Sequence, residues 1–257
     1  MRLAVAAANF GFMFLLLPGT ASMAAEIKVL SGNGAKATIS ELGAQFERAC
    51  GHKVVIHFEV NIAVQRRIEA GEVFDVAVLN PPVLDALIGQ GRIIADTRTV
   101  IGRAGMGAAI RAGAPRPDIS SVESFKRTLA GVNSVAFPGE GASGKYFVSL
   151  VDRLGLTTAM KQKMRPMPAE NTVEVVADGE ADLVVVVASR ICGVPGVQML
   201  GLIPKELQTW IGFTAGVSSN AREPEAAREL IRFFTAPAAA RALRRVRIRP
   251  RWLNGDP

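Results

Sequence analysis

The chain has 257 residues, with 30 Lys+Arg against 23 Asp+Glu for a formal charge of +7, and is 49% hydrophobic and 21% charged. This is the composition of a folded globular protein with one large domain or two smaller ones, not of a disordered chain. Two cysteines and two histidines, His52 and His57, are too few for a disulfide scaffold or a four-cysteine zinc site, and leave little for a Ser-His-Asp triad.

The chain opens as an export signal. Arg2 supplies a positive charge, Leu3 to Leu17 is apolar, Pro18-Gly19 breaks the run, and Ala21 to Ala25 offers small residues around a cleavage point after Ala24 or Ala25. That is the order of a secretory signal, and the apolar run is shorter than the roughly 20 residues that span a bilayer. With no cysteine at the cleavage point, a lipid anchor is not expected. Outside the cytoplasm Cys50 and Cys192 could oxidise, but nothing in the sequence brings them together, and a free, buried pair is expected.

Strands and helices then alternate. Glu26–Leu30 reads as a strand, followed by the loop Ser31-Gly32-Asn33-Gly34. Ile39, Leu42 and Phe46 make one helical face that ends at Gly51. Strand 53–58, helix 63–70, strand 75–79 and helix 81–88 follow, and Pro81 suits a first turn. The series βαβαβα predicts a largely parallel sheet covered by helices. Around 102–112 the pattern turns to small residues with β-type alternation. Ser120 and Glu123 read as a capping box opening helix 122–129. A second series gives strand 134–137, glycine loop 138–144, helix 145–154, a helix through 174–178 and strand 183–187. Trp210–Val217 is β-like, and Ala227, Leu230, Ile231 and Phe234 form the stripe of a closing helix. The predicted fold class is α/β: two lobes joined by two crossings, each a mostly parallel sheet flanked by helices. The expected boundaries are signal peptide 1–24, lobe I 25–103, lobe II 104–211 and a return to lobe I over 212–257.

Arg241, Arg244, Arg245, Arg247, Arg249 and Arg251 crowd the end. With Trp252 the only aromatic beside them, they read as a terminal helix and a solvated basic tail, and no nucleic-acid partner is expected.

Gly139-Glu140-Gly141-Ala142-Ser143-Gly144-Lys145 matches the opening of a phosphate loop, but Tyr146 stands where Mg²⁺ binding needs Ser or Thr. A nucleotide triphosphatase is rejected. What survives is an anion site made by backbone N–H groups at a helix start. The loop Ser31–Gly34 repeats that geometry in the other lobe, and open α/β sheets bind ligands at the carboxyl ends of their strands. Asn61, Asn80 and Asn171-Thr172 lie at further strand-to-helix transitions, where each alone is more often a helix cap.

On Ile27–Phe46, Arg67–Gly71 with Asp75, Ala142–Tyr146, Gly179–Leu183 and Pro237–Ala240, the chain resembles the molybdate-binding branch of the type 2 periplasmic solute-binding proteins, over essentially the whole mature length. The resemblance implies two lobes closing over a small anion in the cleft between them, transient delivery to an ABC permease in the inner membrane, a periplasmic location, and a monomer without cofactor or metal. It places the ligand on Ser31, Gly32, Asn33, Gly34, Asn61, Ala142, Ser143, Gly144, Asn171 and Thr172. Aligned without gaps, Gly34, Val60-Asn61-Ile62 and Val187 stand where the molybdate binders carry hydroxyl side chains. The ligand is therefore open between a molybdate-like oxyanion and a small organic carboxylate. Arg190 could face the cleft and pair with a carboxylate, though a surface position is the commoner fate of an arginine. A few exported proteins resembling this family isomerise tricarboxylates such as aconitate. In that alternative Glu140 or Glu170 is the candidate base, with Glu59 a third loop-proximal carboxylate.

Overall fold

The computed structural model describes residues 24–250; the stretch up to Met23, on which the expected signal peptide falls, and the residues from Arg251 lie outside the described residues. Strand β1 (Glu26–Gly32) runs through a single 3₁₀ turn (Asn33–Ala35) into α1 (Lys36–Cys50). Thr38, Ile39, Leu42 and Phe46 bury one face of α1, and Gly51 ends it at φ 75°, a left-handed conformation that costs glycine nothing. Strand β2 (Lys53–Glu59), α2 (Asn61–Glu69), β3 (Val76–Leu79) and α3 (Pro81–Gly89) complete the first series. β2, β1 and β3 pair in parallel, as short βαβ crossovers require.

Strand β4 (Thr99–Arg111) is the longest. After it come α4 (Val122–Gly131), β5 (Val135–Pro138), α5 (Ala142–Arg153), α6 (Thr157–Met160), β6 (Met164–Met167), α7 (Glu174–Ala177), β7 (Leu183–Val187), α8 (Ala188–Ile191) and β8 (Val197–Leu202). The cap of α4 differs from the expected one. Ser121, not Ser120, is the cap, its hydroxyl accepting from Ser124 N–H, while the Ser124 hydroxyl accepts from Ser121 N–H. A serine at the third position closes the box as a glutamate would, and Ser120 instead gives its N–H to Asp118. All five residues of β7, Leu-Val-Val-Val-Val, are buried, as suits a strand covered on both faces. It pairs in parallel with β5, which pairs in parallel with β6.

Strand β9 (Trp210–Val217), α9 (Pro224–Thr235), α10 (Ala240–Arg245) and β10 (Ile248–Pro250) close the chain. Ala227, Leu230, Ile231 and Phe234 are all buried and share an apolar cluster with Ile39, Leu42 and Phe46 of α1. The expected terminal helix forms as α10, and Arg241, Arg244, Arg245, Arg247 and Arg249 are exposed, but the stretch after it is not a free tail: Ile248 and Pro250 are buried, and β10 adds antiparallel to β4. Arg249 lies with its guanidinium carbon 4.4 Å from the Trp210 ring centre.

β4 ties the sheet together. Thr99–Gly105 pairs with β9, while Met106–Ala109 pairs with β7 and Gly107–Arg111 with β8, all antiparallel. The strand order is β2-β1-β3-β9-β4-β7-β5-β6, with β8 and β10 also on β4. Partners change at Gly105–Met106, and there Gln208 clamps the backbone. Its Oε1 accepts from Met106 N–H at 2.5 Å and its Nε2 donates to Met106 C=O at 3.0 Å. One apolar cluster runs through both halves, joining Ile27, Ile39 and Val76 to Ala136, Val176 and Val184, and separate cores hold Met106, Phe125, Phe147 and Leu150 in one half and Leu30, Ile68, Leu84 and Leu87 in the other. Among the described residues no helix is long and apolar enough to cross a membrane.

Candidate functional site

The carboxyl ends of β1, β2, β3, β5, β6 and β7 border one hollow, the place where open α/β sheets bind ligands. Asn33 and Gly34 after β1, Val60 and Asn61 after β2, and Asn80 after β3 form one wall. Pro138, Glu140, Gly141, Ala142 and Ser143 after β5, Ala169 after β6, and Val186, Val187 and Arg190 around β7 form the other, and Ile211 and Phe213 of β9 complete it.

Each loop is shaped for this meeting. Gly141, at φ 89°, turns the chain into α5. A Cβ on Gly144 would fall 1.8 Å from the carbonyl oxygen of Pro138, so only glycine lets the first turn of α5 settle on the end of β5. Neither α2 nor α5 has a side-chain cap at its start, so their first N–H groups and dipoles are available to an anion, whereas α3 opens on Pro81-Pro82, which carry no N–H, and Val83 N–H is given to Asn80 C=O. Asn61 is held rather than capping: its Oδ1 accepts from Asn80 N–H at 2.8 Å, and Gly32 leaves room for the amide, since a Cβ there would stand 2.7 Å from Asn61 Nδ2. Asn80 gives its Nδ2 to Gly212 C=O at 2.8 Å. Ser189 donates its hydroxyl to Gly34 C=O at 2.7 Å, a direct bond between the walls.

Arg190 is the cation of the site, and it is not on the surface. Its side chain is 9% exposed, and Nη2 donates to Ala169 C=O at 3.0 Å and Glu170 C=O at 3.1 Å. No hydrogen bond of Nε or Nη1 is recorded among the described residues. Burial pushes this guanidinium below its ordinary value, while Glu174 and Glu170 pull it back up; an arginine so placed keeps its charge. Two backbone carbonyls orient it, and its Nη2 also lies 3.8 Å from Glu174 Oε2.

Of the sequence-derived residues, the structure brings Asn33, Gly34, Asn61, Ala142, Ser143 and Glu140 into the lining. Ser31 is fully buried with its hydroxyl turned to Gly32 C=O, and Gly32 and Gly144 shape the loops without lining the hollow. Asn171 is exposed, and buried Thr172 donates to Pro168 C=O at 2.8 Å. These two belong to the turn before α7 and stand outside the lining. Glu170 borders an outer hollow with Glu140, Pro166 and Met167, and Glu59 is taken up by an ion pair with Arg67. Sequence reasoning missed Phe213 and Ile211, whose β-type surroundings carry no sign of a site, and misplaced Arg190; the available signal was its position directly after an all-apolar strand. The thiols of Cys50 and Cys192 are free, but Cys50 is exposed and Cys192 half-buried, because Cys50 closes α1 on its solvent side. Among the described residues no group of three or more His, Cys, Asp or Glu could hold a metal ion.

Residues 27–246 match the profile of a family described as bacterial extracellular solute-binding protein. A Pseudomonas sp. protein named aconitate isomerase is 34% identical over 246 residues, covering 92% of this chain and 94% of that protein. The Azotobacter vinelandii periplasmic molybdate-binding protein superposes with a TM-score of 0.74 at 19% identity, over 87% of this chain and 98% of its own. The sulfate-binding protein of Mycobacterium tuberculosis gives 0.70 at 17% identity, over 89% and 88%. Those two share with this chain an α/β fold in which a mixed sheet is flanked by helices.

Proposed function

The chain belongs to the bacterial extracellular solute-binding proteins, and on that premise we propose that it is exported, takes a small polycarboxylate of the aconitate type between the two walls of the hollow, and isomerises it. The observation that carries this reading is the presence of buried Arg190 and of Glu140 in one lining. Arg190 and the uncapped helix starts hold carboxylates. Glu140 is the one lining residue whose side chain ordinarily serves as a proton acceptor at neutral pH. In the reaction its carboxylate removes a proton from the CH₂ of the substrate. The C–H electron pair shifts into a new double bond, the old one opens, and the same proton or a solvent proton is delivered to the other end of the three-carbon unit. One C–H bond breaks and one forms, nothing is oxidised, and no cofactor is called on. The 34% identity to a protein named aconitate isomerase supports the same substrate class.

The family match favours a second reading, in which the same hollow captures the anion and hands it to an ABC permease without chemistry. One experiment separates the two. The purified chain is incubated with cis- or trans-aconitate in D₂O and followed by proton NMR, beside calorimetric titrations with both aconitates, citrate, molybdate and sulfate. Conversion supports the isomerase, with deuterium in the CH₂ where the proton returned comes from solvent and none where the abstracted proton itself is returned. Binding without conversion supports the transporter, and binding of molybdate alone refutes the carboxylate reading.

A further inference from the structure

We propose that Phe213 determines the class of ligand, by occupying the volume that a side chain at position 34 would need and so barring a side-chain donor at that position; this rests on the carboxylate reading above and deepens it. A Cβ built on Gly34 would stand 2.9 Å from Cε1 and 3.3 Å from Cζ of Phe213, with Val187 Cγ1 at 3.7 Å behind them. Contacts under 3.0 Å require one partner to move, and Phe213 is poorly placed to do so. It is 3% exposed, it lies within the β4–β9 ladder opposite Gly102, and its neighbour Gly212 is fastened to Asn80 through its carbonyl.

A second feature of the ladder bears on the same ring. Val100 pairs with Thr214 and Gly102 with Phe213, so Ile101 is an extra residue, a bulge directly beside Phe213. Bulges of this kind twist a strand and re-aim the side chain opposite. The consequence is a lining with two chemistries. Asn33, Asn61, Ser143 and Arg190 carry donors, while Val187, Ile211 and Phe213 offer a hydrocarbon surface. A bare tetrahedral oxyanion needs donors all round, because every oxygen left against hydrocarbon loses its water without replacement. An anion whose charges sit at the ends of a carbon skeleton suits such a lining, since the skeleton gains from being buried there.

The test uses four full-length variants, Gly34→Ser, Phe213→Ala, Phe213→Leu and the double Gly34→Ser/Phe213→Ala, with trans-aconitate, its saturated analogue tricarballylate, sulfate and molybdate as probes in calorimetry, and melting temperature as a second readout. Gly34→Ser alone is expected to melt lower and to weaken trans-aconitate binding about tenfold or more. The double variant is expected to melt closer to Phe213→Ala than the sum of the single losses allows. It is also expected to raise the oxyanion-to-aconitate affinity ratio at least tenfold over the unaltered protein. General damage would lower all four affinities together and leave that ratio unmoved. Phe213→Leu, which keeps most of the volume, is expected to fold normally and keep rejecting the oxyanions. A Gly34→Ser variant that melts and binds like the parent, or a ratio unchanged in the double variant, overturns the proposal. If the unaltered protein binds no tricarboxylate, the functional reading fails instead, while the coupling between positions 34 and 213 in melting temperature still tests the packing.

Discussion

Arg190→Met is the most informative single change, because it separates ligand anchoring from fold support. The guanidinium is 9% exposed and spends Nη2 on the carbonyls of Ala169 and Glu170. Methionine keeps most of the aliphatic volume and removes the charge. On the fold side, two hydrogen bonds of about 1 kcal/mol each are lost, but the cost of keeping a charge out of water disappears too. The melting temperature should therefore move by only a few degrees, at roughly 2–4 °C per kcal/mol for a chain of this size. On the ligand side, truncating one partner of a buried, hydrogen-bonded charge pair costs about 2–5 kcal/mol. Taking about 3 kcal/mol, the dissociation constant for aconitate should rise roughly 10²-fold. Arg190→Lys keeps the charge but cannot reach both carbonyls and a carboxylate at once, so an intermediate loss near tenfold is expected. Calorimetric titration beside differential scanning fluorimetry reads both sides. A folded Arg190→Met protein that binds within threefold of the parent would refute the assignment of Arg190 as anchor.

Glu140→Gln should lower turnover of aconitate by about 10²-fold or more while leaving its affinity within a few-fold; equal turnover in the two proteins would remove Glu140 from the chemistry. Gly144→Ala should be poorly soluble or melt at least 6 °C lower, since its methyl would overlap the Pro138 carbonyl at 1.8 Å and losses of about 3 kcal/mol follow from such a clash. A melting point within 2 °C of the parent would contradict that packing. Ser189→Ala strips a donor from the Gly34 carbonyl and should cost about 1–3 kcal/mol of stability, read by urea unfolding, with weaker ligand binding alongside. Acid stability has its own probe in Glu72. Hydrogen bonds from Arg67, helped by Lys28, hold its carboxyl down to about 2 from 4.5. A folded-state value below the unfolded one contributes stability that is complete above about pH 4.5 and is lost as pH falls toward 2. Glu72→Gln should flatten the stability curve in that window, and an unchanged slope would show that the pair contributes little.

Much of this molecule was legible beforehand because its strands are short apolar runs and its helices carry single stripes. The α9 stripe at Ala227, Leu230, Ile231 and Phe234 is buried as its spacing requires. The glycine loop before α5 was legible through residue types that only tight backbone approach demands. Arg190 could not be placed the same way, because its burial depends on the carbonyls of Ala169 and Glu170, some 20 residues away. Phe213 was hidden for a related reason: its role comes from a one-residue bulge in β4, more than a hundred positions earlier. Asn171 and Thr172 failed in the opposite sense, since a strand-to-helix transition with polar residues also describes an ordinary turn. Local chemistry travels with the sequence, whereas the facing of two distant loops is a property of register.

That register is fixed by one strand. Because β4 hands its partners from β9 to β7 at Gly105–Met106, the two walls of the hollow are geared to each other by parity. Successive side chains of a strand alternate faces. Removing one residue between the bulge and Met106 would turn every downstream side chain of β4 over while leaving the upstream half untouched. Adjustments in this fold are thus expected to come in pairs of residues, or as whole bulges, and a second shifted bulge in a related chain would mark a pocket tuned to a different cargo.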